Sequence, residues 1–499
     1  MRDMQLVDRI ESKTETYIEK TSKEIRKKIG QFFTSKETAI YMASLANSKR
    51  EGSELSVLDP GCGSLILGSA VIQNILSHSK SINKIKLTVY ENDKEILELL
   101  KSNIREIEEY CKAQEVEISI NLIEKNFILS NKKIWNHPSN EYDIIICNPP
   151  YKKINKEEQE SLMMSDIVYG QPNLYYLFMA LSVNMLKDNG DFIFIVPRSW
   201  VSGLYFTKFR QFLFDRLDTR TIHLFQSRDE VFDKEKVLQE TMIYHAVKKL
   251  PDLNTRINIC SSEKNGCFNQ IEKLSIRNES CIQDFNGRFL FMPTNFEEVD
   301  LLNHLNQFHN TLEELGYKLK TGPIVDFRKK EFLSNNENDF PLIWSSNIKK
   351  ARIHFPEIGQ NPQFIKEDKG IRLLPNKDYL ILRRFTSKEE NRRLQPALYL
   401  RKDLKMYKKV SFENHLNYLI KVDGEMSKEE LYGLFVIFNS SYWDSYYRIL
   451  NGSTQVNANE INSMPMPCIA VIKELGKRFN LRKLSNNSCD EILKEVLFK

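Results

Sequence analysis

The sequence predicts an α/β fold: a mostly parallel sheet with helices on both faces, followed by a mixed α+β domain. Three observations carry this expectation. Short apolar runs alternate with helical patterns from about residue 36 to residue 247. After about residue 250 the alternation dissolves; Asn, Lys, Arg and aromatics increase and turn signals crowd in, as in "TGPIVDFRKKEFLSNNENDF". At 499 residues the chain is long enough for two or three domains, each with its own core.

In chain order, "KETAIYMASLA" (36–46) reads as a helix. The strand "LSVLD" (55–59) precedes a helix near 65–78, and "KIKLTVYE" (84–91) precedes the helix 93–112. "VEISINLIE" (116–124) and "YDIIIC" (142–147) are the next strands. A helix near 174–187 leads to "DFIFIV" (191–196), and a helix near 203–217 to "TIHLF" (221–225); "ETMIYHAV" (240–247) closes the run. The expected division is 1–250 for the sheet domain, 251–300 as a connecting region and 301–499 for the second domain. In sheets of this kind ligands bind outside the carboxyl ends of the strands.

Composition narrows the class. Hydrophobic residues make up 41% and charged residues 28%, as in an ordinary soluble protein. There is no apolar stretch of membrane-spanning length, and the start "MRDMQLVDRIESKTETYIEK" lacks a signal-peptide core, so a cytoplasmic protein without membrane contact is expected. The eight cysteines form no CxxC and the eight histidines show no ligand spacing beside them; no metal site and no disulfide framework are expected. The net charge of +5 is unevenly placed. Residues 321–410 hold 20 Lys/Arg against 11 Asp/Glu, a net +9, which leaves the rest of the chain at −4. Such a block suits a polyanion, although a solvated face has the same composition.

Three strand ends carry cofactor-type signals. "VLDPGCGSLILGSA" (57–70) puts Asp59 at a strand end and Gly61 and Gly63 before a helix, where backbone can approach a ligand and N–H groups are available. Glu91 in "YEND" can accept two ribose hydroxyls and repels a 2′-phosphate. Asn126 and Phe127 in "EKNF" suit an adenine edge and face; a turn residue and a core ring suit the same positions. A fourth strand end is more unusual. "DIIICNPPY" ends a buried strand in Asn148, Pro149, Pro150 and Tyr151. Neither proline can donate to a ladder, so the strand stops and its carbonyls are released from sheet pairing. An amide oxygen and a proline-adjacent carbonyl can together accept both hydrogens of an exocyclic amine. That pulls the nitrogen toward tetrahedral geometry and restores its lone pair for attack. The Tyr151 ring can stack on a flat base, worth on the order of 1–3 kcal/mol. A rigid strand-terminating turn is the plain alternative.

"CNPPY", with "VLDPGCGS" and "YEND" before it, resembles the amino-methylating branch of the S-adenosylmethionine-dependent methyltransferases, which have a Rossmann-like sheet. "KKIGQFFTSKETAIYMASL" (27–45) is similar to the Gly-Gln-Phe-Phe-Thr-Pro segment of bacterial DNA adenine-N6 methyltransferases, and its place ahead of the glycine loop is typical of the γ class. "LRRFTSKEENRRL" and "SFENHLNYL" resemble the PstI/BsuBI type of type II restriction–modification methyltransferase. The resemblance implies S-adenosyl-L-methionine as cofactor, with contacts at Phe33, Thr34, Asp59, Gly61, Gly63, Glu91, Asn126 and Phe127. It implies that Asn148, Pro149, Pro150 and Tyr151 hold an adenine flipped out of double-stranded DNA, faced by Phe232. It further implies a C-terminal target-recognition domain, a cognate restriction endonuclease in the same system, action as a monomer and a short palindromic site such as CTGCAG. Candidate DNA contacts are Arg383, Arg384, Arg392, Arg393, Asn414, His415 and Gln455, the arginines toward phosphate more than bases. Three positions depart from the pattern: Ser35 replaces a proline, Leu65 a glycine, and Asn126 an acidic residue. Two other functions are weighed beside this one. An "NPPY" edge also serves RNA-base or protein-glutamine amines, and a DNA-binding module without catalysis would retain the basic block.

Overall fold

The computed structural model describes residues 5–20, 33–50, 52–225, 241–252, 254–262, 268, 270–283, 288–357, 361–386, 390–450, 455–480 and 486–497. The chain forms two compact units, Met1–Asn295 and Phe296–Lys499.

The first unit is built on a nine-stranded sheet. Its elements are α1 (Leu6–Lys20), α2 (Lys36–Ser44), β1 (Glu54–Pro60), α3 (Ile66–His78), β2 (Lys84–Tyr90), α4 (Leu97–Ala113), β3 (Glu117–Ile123), β4 (Tyr142–Cys147), α5 (Leu174–Met185), β5 (Leu186–Pro197), α6 (Thr207–Phe214), β6 (Leu217–Phe225), β7 (Thr241–Lys248), β8 (Arg256–Ser262) and β9 (Glu272–Arg277). Across the sheet the order is β3-β2-β1-β4-β5-β7-β6-β8-β9. The first five strands are mutually parallel, β6 pairs parallel with β8, and β7 and β9 run antiparallel to their neighbours. The helix expected over 203–217 is a 3-10 turn (Leu204–Phe206) followed by α6.

Central strands read as unbroken apolar runs because both of their faces are covered. In β1 every residue but Glu54 is buried. On one face Leu55, Val57, Leu87, Val89, Ile144 and Ile146 pack with Ile10, Met42, Val71 and Leu100 of α1 to α4. Each such aliphatic side chain stabilises the fold by about 1.5–3 kcal/mol. The other face is built of rings. Phe192 stacks on Phe194 at 4.2 Å, Trp200 meets Tyr244 edge-on at 5.3 Å, and Tyr176 of α5 lies 5.2 Å from Phe209 of α6.

The stretch 251–300, expected to connect two domains, instead contributes β8 and β9 to the sheet, and the second unit begins at Phe296. The reason is physical. In β8 Ile257 and Ile259 are buried between Arg256 and Asn258, and in β9 Leu274 and Ile276 are buried between polar neighbours. β9 alternates as a strand covered on one face does, and β8 alternates before ending in the buried but small Cys260, Ser261 and Ser262, so both lack the long apolar signature of the central strands. No helix among the described residues is long and apolar enough to cross a membrane.

The second unit is mixed α+β. Its six-stranded sheet runs Tyr317–Thr321, Leu416–Lys421, Tyr379–Arg383, Pro396–Tyr399, Arg352–Ile353 and Ile348–Lys349, beside a five-stranded sheet of short strands. The helix Lys428–Phe438 opens with a capping box: the Ser427 hydroxyl accepts from Glu430 N–H at 3.2 Å, and the Glu430 carboxylate accepts from Ser427 N–H at 3.0 Å. This helix packs against Ile469–Arg478 through two glycines. A Cβ on Gly433 would lie 1.8 Å from the Ile472 carbonyl oxygen, and one on Gly476 would lie 1.9 Å from that of Glu429. Backbone meets backbone there, so no side chain can rotate away. Gly433→Ala and Gly476→Ala should therefore each destabilise this unit by about 1–3 kcal/mol. Chemical denaturation measures this, and an unchanged midpoint would contradict the close crossing.

Candidate active site

The parallel register places the carboxyl ends of β1 and β2 side by side, with Pro60 opposite Tyr90. The chain leaving β1 is lashed to β2 at once: Gly61 and Cys62 N–H both donate to the Tyr90 carbonyl, at 2.9 and 3.0 Å. Gly61 adopts φ +74°, and a Cβ on it would press on the Phe178 ring at 3.3 Å. Glu91 sits one residue beyond the end of β2. One of its carboxylate oxygens accepts from Gly63 N–H at 3.0 Å, the other from Asn92 and Asp93 N–H, both at 2.9 Å. Burial raises the Glu91 pKa, and these three donors oppose the rise.

Asp59 differs from its expected role. It is fully buried, and its Oδ2 accepts from Gly68 N–H in the first turn of α3 at 3.1 Å. Its Oδ1 meets no hydrogen-bond partner among the described residues. Burial pushes its carboxyl up to about 8, the Gly68 N–H opposing and the nearby Glu91 charge adding. Asp59 thus supports the helix start from beneath and does not line the cavity described next.

An open cavity of about 770 Å³ lies at these strand ends. Phe33 and Thr34, the loop Gly61–Ser64, Glu91, and Asn148, Pro149 and Pro150 all line it. A second cavity of about 630 Å³ shares Gly61, Glu91, Pro150 and Phe178 with the first and extends to Tyr90, Asn126, Phe127 and Lys152.

Asn148 is held from outside the sheet. Its Nδ2 donates to the Thr34 hydroxyl at 3.1 Å. Thr34 precedes Ser35, whose side chain accepts from Thr38 N–H at 3.3 Å and caps α2. The residue that replaces the expected proline is therefore a helix cap. Beneath Asn148, the Cys147 thiol donates to the Pro60 carbonyl at 2.7 Å and ties the end of β4 to that of β1. The Tyr151 hydroxyl donates to the Ile195 carbonyl of β5 at 2.9 Å, and its ring meets Tyr175 edge-on at 6.3 Å. Tyr151 is half-buried and lines neither cavity.

At the third strand end Asn126 and Phe127 part company. Phe127 is buried with its ring 5.0 Å from both Tyr90 and Phe178. The Asn126 oxygen, expected toward an adenine, accepts from Leu129 N–H at 3.0 Å and caps the turn Phe127–Ser130, while its Nδ2 donates to Glu160 at 2.8 Å. Phe178, which borders both cavities, was not singled out in the sequence. It lies in a helix buried all round, where no polar face marks one ring as special.

The candidate DNA contacts separate into two groups. Arg393 is fully buried, with Nε on the Thr386 hydroxyl at 3.1 Å and its guanidinium over the Tyr447 ring. Arg392 donates to the carbonyls of Asn439 and Ser440 at the end of a helix. Arg393, enclosed in the unit, cannot meet a phosphate, and half-buried Arg392 is already engaged with helix-end carbonyls. Arg383 donates to the Ile348 carbonyl at 3.0 Å. Arg384, Asn414, His415 and Gln455 do come together: the Arg384 guanidinium donates to the Asn414 carbonyl at 3.1 Å and to Gln455 Oε1 at 3.2 Å, and its backbone N–H donates to the His415 carbonyl at 2.8 Å. Phe232 lies outside the described residues.

The Asp59 arrangement has a pH signature. Its folded pKa, about 8, stands above the ordinary carboxylate value, so between the two the folded state holds a proton that the unfolded state has lost. Stability of the first unit should fall as pH rises from about 4 toward 8 through this group. Asp59→Asn, which keeps an acceptor for Gly68 N–H, should flatten that slope in pH-dependent unfolding; an unaltered slope would contradict it.

Comparison with known proteins bears on the whole chain. The Eco57I restriction-modification methylase family matches residues 71–232. The chain is 32% identical to the type II methyltransferase M.BsuBI of Bacillus subtilis, over 95% of this chain and 94% of that protein. It is 30% identical to the type II methyltransferase M.PstI of Providencia stuartii, over 99% of this chain and 97% of that protein. With the type II methyltransferase M.AccI of Acinetobacter calcoaceticus it shares 28% identity over 44% of this chain and 37% of that protein. The first two likenesses take in both units, the glycine loop and the Asn-Pro-Pro-Tyr edge alike, and the chain belongs to the type II methyltransferases of restriction–modification systems.

Proposed function

We propose that the chain transfers a methyl group from S-adenosyl-L-methionine to the N6 amino group of an adenine flipped out of double-stranded DNA, as the protective half of a restriction–modification system. One observation carries the reading: Asn148, Pro149 and Pro150 line the same cavity as Thr34, the glycine loop and Glu91. An amine-gripping edge and a nucleoside-type cradle thus share one space.

The residues present fit such a cofactor. Gly61 leaves room that a Cβ would fill, Glu91 offers a carboxylate to hydroxyls, and the Phe127 and Phe178 rings border the adjoining cavity. Bound there, the cofactor supplies an electrophilic methyl on a sulfonium. The protein's own work is at the amine. The Asn148 carboxamide is fixed by its Nδ2 bond to Thr34, and its oxygen is the atom suited to accept one amino hydrogen. The carbonyl of Pro149 accepts the other. Both bonds favour the pyramidal nitrogen needed for attack, and the proton leaves after methyl transfer. Tyr151, its hydroxyl anchored to β5, can offer only its ring to a base. The second unit is proposed as the target-recognition domain, with its +9 block of residues 321–410 toward the duplex.

Labelled-methyl transfer tests the reading. Purified protein and cofactor are incubated with unmethylated duplex DNA, RNA or protein in separate arms. Label is expected in DNA and, after digestion, in N6-methyladenine; label in RNA or protein but not in DNA would overturn the reading. Asn148→Ala should lower turnover by roughly 10²-fold or more, the scale on which a lost transition-state hydrogen bond acts. Cofactor affinity by calorimetry should change only a few-fold, and full turnover would refute the assigned role. Duplex affinity should also fall steeply with salt, by roughly 10³-fold or more between 50 and 200 mM if six or more phosphates are engaged. A flat response in filter binding would remove the basic block from the account.

A further inference from the structure

Two exposed phenylalanines of the second unit are built alike. Phe327 lies in the turn after the strand Tyr317–Thr321 and is 72% exposed; Phe385 follows Tyr379–Arg383 and is 42% exposed. In each case the next or preceding arginine lays its guanidinium over the ring, Arg328 at 5.5 Å from Phe327 and Arg384 at 5.4 Å from Phe385. Neither ring serves the core, and an exposed cation–π contact is weak. Burial does not account for either residue.

Both turns are fastened to a third, Glu413–His415. Asn414 N–H donates to the Ile324 carbonyl at 2.8 Å, and Arg384 is bonded to Asn414 and His415 as described above. The His415 ring meets Phe385 edge-on at 4.7 Å, and its Nδ1 lies 2.9 Å from the carboxylate of Glu413, which is fully buried. At the base Gly322 has no room for a side chain: a Cβ would lie 2.1 Å from the Glu413 carbonyl oxygen. The two Phe–Arg pairs therefore belong to one firmly joined edge of the six-stranded sheet.

The edge falls within the basic block, but many of that block's cations are used internally. Arg392 and Arg393 hold the fold, and Lys349, Lys377 and Lys409 pair with Glu357, Glu425 and Glu367. The exposed Arg328 guanidinium has no ion pair or hydrogen bond among the described residues. A planar guanidinium can lie on a ring and still direct its N–H groups in plane toward a phosphate. A base that swings out of a duplex uncovers the faces of its neighbours, and an aromatic ring can cover them.

We propose that this edge contacts duplex DNA, with Phe327 and Phe385 against bases and Arg328 on a phosphate. The proposal rests on the reading of the chain as a DNA methyltransferase and adds the side chains that engage the duplex. A protein partner with an acidic surface would use Arg328 but has no flat faces to match two rings.

The test is equilibrium filter binding of an unmethylated plasmid-derived duplex to the full chain, with methyl incorporation followed in parallel. Phe327→Ala and Phe385→Ala are each expected to weaken binding about ten-fold or more, within the range seen for lost base–aromatic stacking. Phe327→Tyr and Phe385→Tyr, which keep the ring, should bind like the parent. Arg328→Ala should weaken binding and lower the slope of log affinity against log salt by about 1. Val422→Ala, at an exposed apolar residue outside the basic block and just past the opposite end of the strand Leu416–Lys421, should leave binding and melting temperature unchanged. Parent-like binding by the Phe→Ala variants and Arg328→Ala overturns the proposal. A parent chain that neither binds nor methylates duplex DNA overturns the underlying reading instead.

Discussion

The Glu91 carboxylate is the interaction on which the shape of the site depends. It draws three backbone N–H groups around one buried charge, from Gly63 on the loop after β1 and from Asn92 and Asp93 on the loop after β2. Charge-assisted bonds of this kind are about twice as strong as neutral ones and offset much of the cost of burying the carboxylate. The neighbouring Tyr90 carbonyl takes Gly61 and Cys62 N–H, so two consecutive residues at one strand end hold three consecutive backbone N–H groups of the loop after β1. The glycine loop is then shaped before any ligand arrives, and its wall toward the cavity is backbone.

The opposite wall is fixed by different means. Asn148 is 114 residues from Thr34, yet their side chains share a hydrogen bond, and Ser35 beside Thr34 caps α2. The segment ahead of the sheet therefore sets the rotamer of the residue at the end of β4. Thr34 and Ser35 thus act on a strand end that lies far downstream in the chain. Cys147 on Pro60 and Tyr151 on Ile195 complete the frame, one on each neighbouring strand.

Legibility followed from how each element is buried. β1, β4 and β5 were readable because strands covered on both faces read as apolar runs, and β2 because Ile85, Leu87 and Val89 alternate with polar residues. β8 and β9 were not, since each has polar residues alternating with its two buried aliphatics near the edge of the sheet. At the site, Gly61, Gly63, Glu91 and the Asn148–Pro150 edge were legible because unusual residues stood at strand ends. Asp59 and Asn126 stand at the expected strand ends, where each also serves a helix start, Asp59 by accepting from Gly68 N–H and Asn126 from Leu129 N–H. Charge counting failed most clearly for Arg392 and Arg393. A sum of charges does not distinguish a guanidinium in water from one satisfied by helix-end carbonyls or hydroxyls inside the fold.

Leu65 shows how a departure from a glycine pattern can be absorbed. It adopts φ 67°, a left-handed conformation that costs a side-chain-bearing residue about 1–2 kcal/mol. Its side chain is fully buried, which stabilises by about 1.5–3 kcal/mol and offsets the strain. The space it fills is made by Gly68, where a Cβ would lie 2.9 Å from Leu65 Cδ1, and Gly68 N–H is the group that Asp59 holds. The small residue needed near this turn thus stands three positions later, under the leucine. Because Leu65 points into the core and lines neither cavity, while Gly61 and Gly63 keep their positive φ, the substitution alters what lies behind the loop and leaves the face toward the cavity intact.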